Sequence, residues 1–440
     1  MNLNVLDFGA VGDGKTLNTK ALQAAIDACH SSGGGRVTVP AGCFVTGTIW
    51  LKSNVELYLQ HNAVLKGSEN LDDYNDEDAY PQNFHSLSEC WCGKHLIIAL
   101  EQENVSINGE GAIEGVAYAV FRGPLRGKSN YGWEYGYYTI ADGDPLRPGQ
   151  MVCFIECRHV RVSGITLRDS SCWNLWFHGC DFVKVSGLTI LGNKRHCNND
   201  GIDIDACSYV TVSDCLIQTG DDAIAIRCDT DHLSPSKRQK KCEYITVSNC
   251  VLSSSSCSIR FGVGRGELHH VSVSDLVIPH SGEGFTFMTG YHGRGCVNIH
   301  DVLISNVTAN DVGVPLYIRA DEAAVERITV DNFHSDCKCC VKILSEIGSV
   351  RRLTLHNVEL YDREGNLRFP ERAAEERKQA ILNFKGASDV ILDGVTVFAR
   401  DSYFEDRSLV LHCEDTNISH CRLLLRHRGQ TREVSPETGI

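Results

Sequence analysis

The chain has 440 residues, 42% apolar and 22% charged, with 42 Lys+Arg against 56 Asp+Glu and a net charge of −14. That length is roughly two to three times an ordinary single domain, so the chain is either several domains or one elongated repeat, and its composition excludes a disordered or fibrous protein. The acidic balance, with no basic run, argues against a nucleic-acid partner or an anionic-membrane surface.

The opening MNLNVLDFGAVGDGK has no apolar stretch behind a charged start, and no apolar run long enough to span a membrane follows. Neither export nor membrane insertion is therefore predicted, and a cytoplasmic chain is expected. Twenty-one cysteines, odd in number and scattered, read as reduced thiols rather than a disulfide framework. Cys90 with Cys92, and Cys337 with Cys339 and Cys340, lack a matching second pair at zinc spacing, so no metal and no cofactor is expected.

In chain order, the first element is a helix over about 16–29. Leu22, Ala25, Ile26 and Cys29 fall at i, i+3, i+4 and i+7, and the run stops at Gly33-Gly34-Gly35. An aromatic, glycine-rich excursion over 116–148 carries Tyr131, Trp133, Tyr135, Tyr137 and Tyr138. It reads either as a wall closing one end of a groove or as a dimer contact, leaving a homo-oligomer open. From Val162 onward a short unit recurs: VSGI at Val162, VSGL at Val185, VSDC at Val212, VSNC at Val247, VSDL at Val273, ISNV at Ile304, and four further variants to Ile418, at steps of 23 to 37 residues. Each unit holds two or three short strands with period-2 alternation, and Gly, Asn or Asp at the corners. That is the pattern of coils in a parallel β-helix, which bury their inward side chains only by stacking. The predicted fold is all-β, a right-handed parallel β-helix with a short N-terminal capping helix, forming one domain over 1–440. A second, charged excursion covers 363–379.

The repeat sets coils in register. Aligning Gly201-Ile202-Asp203-Ile204 with Ala223-Ile224-Ala225-Ile226 places Asp200 one coil from Asp222 and Asn199 one coil from Asp221, at a coil spacing of about 4.8 Å. Asp200, Asp221 and Asp222 then converge, with Asp203 and Asp205 outward-facing nearby. Three clustered carboxylates do not ionise at one common value, which sets an acid beside bases. A single aspartate in a solenoid is ordinarily a turn former; three in register are destabilising without a purpose or a cation. On the same face the pattern directs Trp176 and His178 toward a sugar ring, and Arg227 and Arg260 toward the acidic cluster. Arg260 reads equally as an anion binder or as a salt bridge to Asp203. Lys194-Arg195-His196 and Tyr291, His292 and Arg294 are candidate rim residues, while Trp173 and Phe177 read as packing.

The motifs SINGEGAIEG, SCWNLWFHGC, NNDGIDIDAC and TGDDAIAIR, in this order behind VLDFGAVGDGKTLNTKALQAAIDAC, resemble glycoside hydrolase family 28, the polygalacturonase family of right-handed parallel β-helices, along nearly the whole chain. The resemblance implies an inverting hydrolysis with Asp221 as the acid and Asp200 with Asp222 holding and deprotonating the water. Inversion leads us to expect roughly 6.5–9.5 Å between acid and base. The chain departs from the family at three places: Ser254-Ser255-Ser256 stands where Gly-His-Gly is expected, Thr286 and Met288 where Arg-x-Lys is expected, and Glu322 near the place of a tyrosine. The expected function is hydrolysis of uronic-acid-containing oligosaccharides from chain ends. The alternatives are a Ca²⁺-dependent β-helix lyase or epimerase with Arg227 or Arg260 as base, and a non-catalytic carbohydrate-binding solenoid.

Overall fold

The computed structural model describes residues 1–126, 137–140, 146–290, 295–320, 322–337, 341–345, 349–363, 380–399 and 410–436. The fold is a right-handed parallel β-helix with one N-terminal helix against its first coils. The helix spans Thr19–Ser31 and buries Leu22, Ala25, Ile26 and Cys29, as the spacing predicts. It starts later than position 16 because Asp13–Leu17 is a strand and the Asn18 amide is engaged elsewhere: it accepts from the Val11 N–H (2.6 Å) and donates to the Thr16 carbonyl (2.6 Å). No helix among the described residues is long and apolar enough to cross a membrane.

The chain divides into two compact units, the first comprising Met1–Arg126, Tyr137–Ala225 and Asp229–Cys242, the second Ile226–Cys228 and positions within Glu243–Ile440. In the first unit each coil contributes a strand to three parallel columns. One column runs through Arg158–Ser163, Asp181–Ser186 and Ser208–Ser213, and a second through Thr166–Arg168, Thr189–Leu191 and Leu216–Thr219. The third runs through Ile97–Leu100, Val152–Ile155, Leu175–His178 and Ile202–Asp205. Inward side chains such as Val160, Val183 and Val210 stack in register and are buried, so each coil completes its neighbour's core. The second unit repeats the plan with longer continuous ladders, Cys257–Met288 on Val297–Ala320 on Ala324–Cys337, and ends in an antiparallel pair, Ile418–His427 with Gln430–Val434.

The repeat's third position has a backbone reason. Gly164, Gly187, Asp214, Asn249, Asp275, Asn306, Asn332, Asn357 and Gly394 all have φ between 51° and 74°. Only Gly, and less readily Asn or Asp, adopts this left-handed conformation without strain. Two of the asparagines add a ladder, Asn332 Nδ2 donating to Asn306 Oδ1 (2.8 Å) and Asn306 Nδ2 to Asp275 Oδ1 (3.1 Å). Of the two excursions, the described part of the first includes Leu125–Arg126 paired antiparallel with Tyr137–Tyr138. Tyr131, Trp133 and Tyr135, and the second excursion from residue 364 onward, lie outside the described residues.

Candidate active site

The site is built where the second column hands over to the third. The Gly192 N–H donates to the Gln218 carbonyl (2.7 Å), Gly201 N–H to the Asp222 carbonyl (2.9 Å) and Ile202 N–H to the Ala223 carbonyl (3.1 Å). This is the register that the sequence predicts. Between these ladder bonds the chain makes a turn over 193–199, whose side chains and carbonyls fold back on Gly220. Asn199 is the bridge: its Oδ1 accepts from Gly220 N–H (2.6 Å) and Asp221 N–H (3.0 Å), and its Nδ2 donates to the Asn193 carbonyl (2.9 Å). Gly220 is required there, because a Cβ would lie 2.2 Å from the His196 carbonyl and 2.6 Å from that of Asn193.

One carboxylate oxygen from each of Asp200, Asp221 and Asp222 lies within 4.8 Å of the other two. Asp200 and Asp222 are buried and Asp221 is partly exposed. Asp221 is held at both oxygens, Oδ2 accepting from Asn198 N–H (3.1 Å) and Oδ1 from Asp222 N–H (3.1 Å). These two bonds favour its anion, whereas the flanking carboxylates favour its acid form. This is a distance between single oxygens, whereas the expected 6.5–9.5 Å runs between whole carboxyl groups. A water donating two hydrogen bonds of about 2.7 Å spans about 4.4–4.7 Å, so the cluster is of a size to hold one water between two carboxylates. Asn174 ties in the preceding coil: its backbone N–H and Nδ2 both donate to the Asp200 carbonyl (2.8 and 2.9 Å).

The face beside this cluster is roofed, which the sequence did not reveal. Trp176 pairs in register with Asp203 and His178 with Asp205, outside the coil core as the alternation predicts. Yet Trp176 is 1% exposed and His178 and Asp203 are 0% exposed. Phe84 packs edge-on against Trp176 (5.8 Å) and stacks on His232 (4.1 Å), while Trp91 and Trp173 complete a buried cluster with Trp176. His178 stacks on Trp176 (4.8 Å), and its Nε2 lies 2.8 Å from the Asp229 carbonyl. Trp176, beneath Phe84, Trp91 and Trp173, and with it His178 and Asp203, are therefore buried rather than presented to solvent. Asp205 Oδ1 accepts from the Asp229 N–H (2.6 Å), a turn-forming role.

Two more assignments change. Asn199, 1% exposed, holds the turn over 193–199 against Gly220 and Asp221 instead of facing solvent. His196 is 2% exposed, stacked on Phe121 (4.5 Å), and burial with the neighbouring Arg147 guanidinium pushes its pKa down to about 4. It anchors the turn from inside. Arg195 remains partly exposed, with its carbonyl accepting from Tyr138 N–H (2.9 Å), so the described part of the aromatic excursion packs beside the turn.

The residue that sequence reasoning missed here is Arg147. Fully buried, it donates to the carbonyls of Ser171, Cys197 (3.3 Å) and Glu89 (2.8 Å) and to Asn198 Oδ1 (2.6 Å). It thereby holds the residue whose N–H meets Asp221. No spacing marks it, because it comes from the excursion and not from the repeat. Asp169 is a second omission: burial pushes its carboxyl up to about 7 while its Oδ1 accepts from Tyr118 N–H (3.1 Å).

The family model for glycosyl hydrolases family 28 matches residues 29–333. The chain belongs to that family. Among its relatives, a protein named "Probable polygalacturonase" from Vitis vinifera is 29% identical over 312 residues, 69% of this chain and 60% of that protein. An "Exo-poly-alpha-D-galacturonosidase" from Dickeya chrysanthemi is 30% identical over 261 residues, 50% of this chain and 41% of the relative. The chain thus covers less than two thirds of either. The solved structure of a Yersinia enterocolitica family 28 exopolygalacturonase superposes with a TM-score of 0.69 at 20% identity, covering 98% of this chain and 79% of that one, a likeness of fold.

In this family 28 chain the departing positions lie in the second unit. Thr286 is 0% exposed and donates to Glu283 Oε2 (2.6 Å), which also accepts from the Cys257 thiol (3.2 Å). Arg260 sits beside them, Nη1 on Met288 Sδ (3.0 Å) and Nη2 on Cys257 Sγ (3.3 Å). Where Arg-x-Lys is expected, a buried Glu283 cluster with Arg260 stands instead. Ser254, Ser255 and Ser256 are buried, Ser256 N–H donating to Ser254 Oγ (2.8 Å). Arg227 is buried as well, not solvent-facing. Among the expected rim residues Tyr291, His292 and Arg294 lie outside the described residues.

Proposed function

We propose that this chain hydrolyses glycosidic bonds in galacturonan-type oligosaccharides, removing units from chain ends. The observation that carries the reading is the group of three carboxylate oxygens within 4.8 Å on two successive coils of a family 28 chain. In the reaction, a water held by Asp200 and Asp222 attacks the anomeric carbon, and the bond to the leaving sugar breaks. The Asp221 proton passes to the leaving oxygen, and a water proton passes to the Asp200–Asp222 pair. The anomer is inverted, because one displacement by water leaves no covalent intermediate. End-on action and galacturonan are supported by the names of relatives such as the Dickeya protein, and a cytoplasmic address by the cysteine distribution alone.

The test is incubation with galacturonan oligosaccharides, read by product mass and by NMR of the first anomer formed. A gain of one water per cleavage, monomer as the first product and the inverted anomer are expected. A product of unchanged total mass with a new ultraviolet-absorbing double bond would replace hydrolysis by elimination. Asp221→Asn should lower turnover by about a hundredfold or more, the usual contribution of a general acid. It should retain activity on a glycosyl fluoride, whose leaving group needs no proton; loss of that activity as well would reject Asp221 as the acid.

A further inference from the structure

We propose that Glu243, Glu267, His269 and His300, in the second unit, form a binding site for a borderline divalent transition metal of the Zn²⁺ or Co²⁺ class. Oxygen and nitrogen atoms of Glu267, His269 and His300 lie within 4.8 Å of one another. The residues come from successive rungs: His269 is the register partner of His300, and their rings stack at 4.7 Å and 9°. Glu243 joins from the preceding coil, its Oε2 lying 3.3 Å from His269 Nε2, while Glu267 Oε2 is 4.0 Å from the same nitrogen. The steps 243 to 269 to 300 are the coil steps 26 and 31 that separate Val247, Val273 and Ile304, so the column is a product of the repeat.

Two features distinguish this column from an ordinary surface ion pair. His300 Nδ1 lies 2.7 Å from Asp301 Oδ2 and 3.1 Å from Arg327 Nη2. The carboxylate is the closer partner and needs a donor, so Nδ1 carries the proton and Nε2 keeps its lone pair, the arrangement in which a carboxylate orients a metal-binding histidine. Arg327 is itself paired with both Asp301 oxygens (2.6 and 2.8 Å). His269 Nδ1 lies 2.6 Å from His270 Nδ1. The other ring nitrogen, Nε2, is thereby aimed at the carboxylates of Glu243 and Glu267. His269 is 5% exposed, whereas Glu267 and His300 are partly exposed and leave an entry path. A tetrahedral site needs its nitrogens about 3.4 Å apart at metal–nitrogen bonds of about 2.0–2.1 Å, so the two stacked rings must tilt toward each other when the ion binds. Two imidazoles and two carboxylates suit Zn²⁺ or Co²⁺ better than Ca²⁺ or Mg²⁺, which take oxygen ligands. Bound there, the ion would staple three consecutive coils.

The test is titration of the chelator-treated full chain with Co²⁺ at pH 7.5, reading the visible d–d absorption and the stoichiometry by calorimetry. About one equivalent with a band of nitrogen-containing, low-coordinate type is expected. It should persist in Asp200→Asn and weaken at least tenfold in affinity in both His300→Ala and the surface variant Glu267→Gln. Circular dichroism establishes that each variant is folded. Should His300→Ala fail to fold, Glu267→Gln and His300→Gln carry the comparison. Absence of binding, or binding that Asp200→Asn abolishes and the histidine and glutamate variants leave intact, would overturn the proposal; the latter outcome would move the ion to the carboxylate cluster.

Discussion

Replacing Asn199 probes whether the two coils of the site are held by one amide. In Asn199→Ala the N–H groups of Gly220 and Asp221 lose their acceptor and the Asn193 carbonyl loses a donor. The buried Gly220 N–H left without an acceptor is destabilising by about 1–3 kcal/mol, and the part-buried Asp221 N–H adds less, together a sizeable share of a total near 5–15 kcal/mol. Asn199→Asp separates the acceptor from the donor. With its carboxyl protonated it reproduces both functions of the amide, whereas ionised it keeps the two acceptor bonds but adds a fourth negative charge beside Asp200, Asp221 and Asp222. Its folded pKa is therefore raised, the native state holds the proton longer than the unfolded chain, and its contribution to stability is lost as pH rises from about 4. The assay is urea unfolding of wild type and both variants at pH 5 and pH 8, with turnover measured beside it. Expected are a clear loss for alanine at both pH values, a smaller loss for aspartate at pH 5 than at pH 8, and at least tenfold lower turnover for alanine. Asn199→Ala within about 0.5 kcal/mol of wild type, the range of an uneventful surface change, would refute the bridge.

Arg147→Lys should leave substrate KM nearly unchanged, lower kcat at least tenfold and move the basic limb of the pH–rate profile upward, because a loosened Asn198 N–H favours the Asp221 anion less; an unmoved profile would reduce Arg147 to scaffolding. Asp169 has its folded pKa raised to about 7 from 3.8, so its contribution to stability falls as pH rises through that window. Asp169→Asn should abolish this part of the decline in Tm between pH 4 and 7, with its Oδ1 still accepting from Tyr118. His196 is lowered to about 4 from 6.5, so the unfolded chain protonates first and stability is lost as pH falls through that range. His196→Phe, stacking in the same slot on Phe121, should make the acid-side fall in Tm shallower, and an identical fall would assign it to other groups such as His95, which burial also pushes down to about 4.

The parts legible in the primary structure are those that repeat. The left-handed turn at Gly164, Asn306 and their counterparts recurs in nine successive units from Gly164 to Gly394 and admits few residue types, so it marks the coil boundaries in plain text. Once the boundaries are known, the pairing of Gly201 with Ala223 and of Asn199 with Asp221 follows, since parallel stacking transmits register from rung to rung. The column of Glu243, His269 and His300 follows the same coil steps, four residues ahead of Val247, Val273 and Ile304 and within the strands Cys242–Ser248, Cys257–Met288 and Val297–Ala320.

What lay beyond reach was set by segments outside the repeat. Period-2 alternation correctly sends Trp176, His178 and Asp203 away from the coil core, but a side chain that leaves one core can enter another. Here Phe84, Trp91 and Trp173 cover that face. Arg147 reaches Asn198 across fifty-one positions by a geometry that no spacing announces. Amino-acid order alone thus determined the coil, its register and the convergence of three aspartates, because local backbone preference and stacking decide them. Burial, the tightness of the carboxylate group and the support of its turn were decided only in three dimensions, where long-range packing chooses which outward residues remain in water.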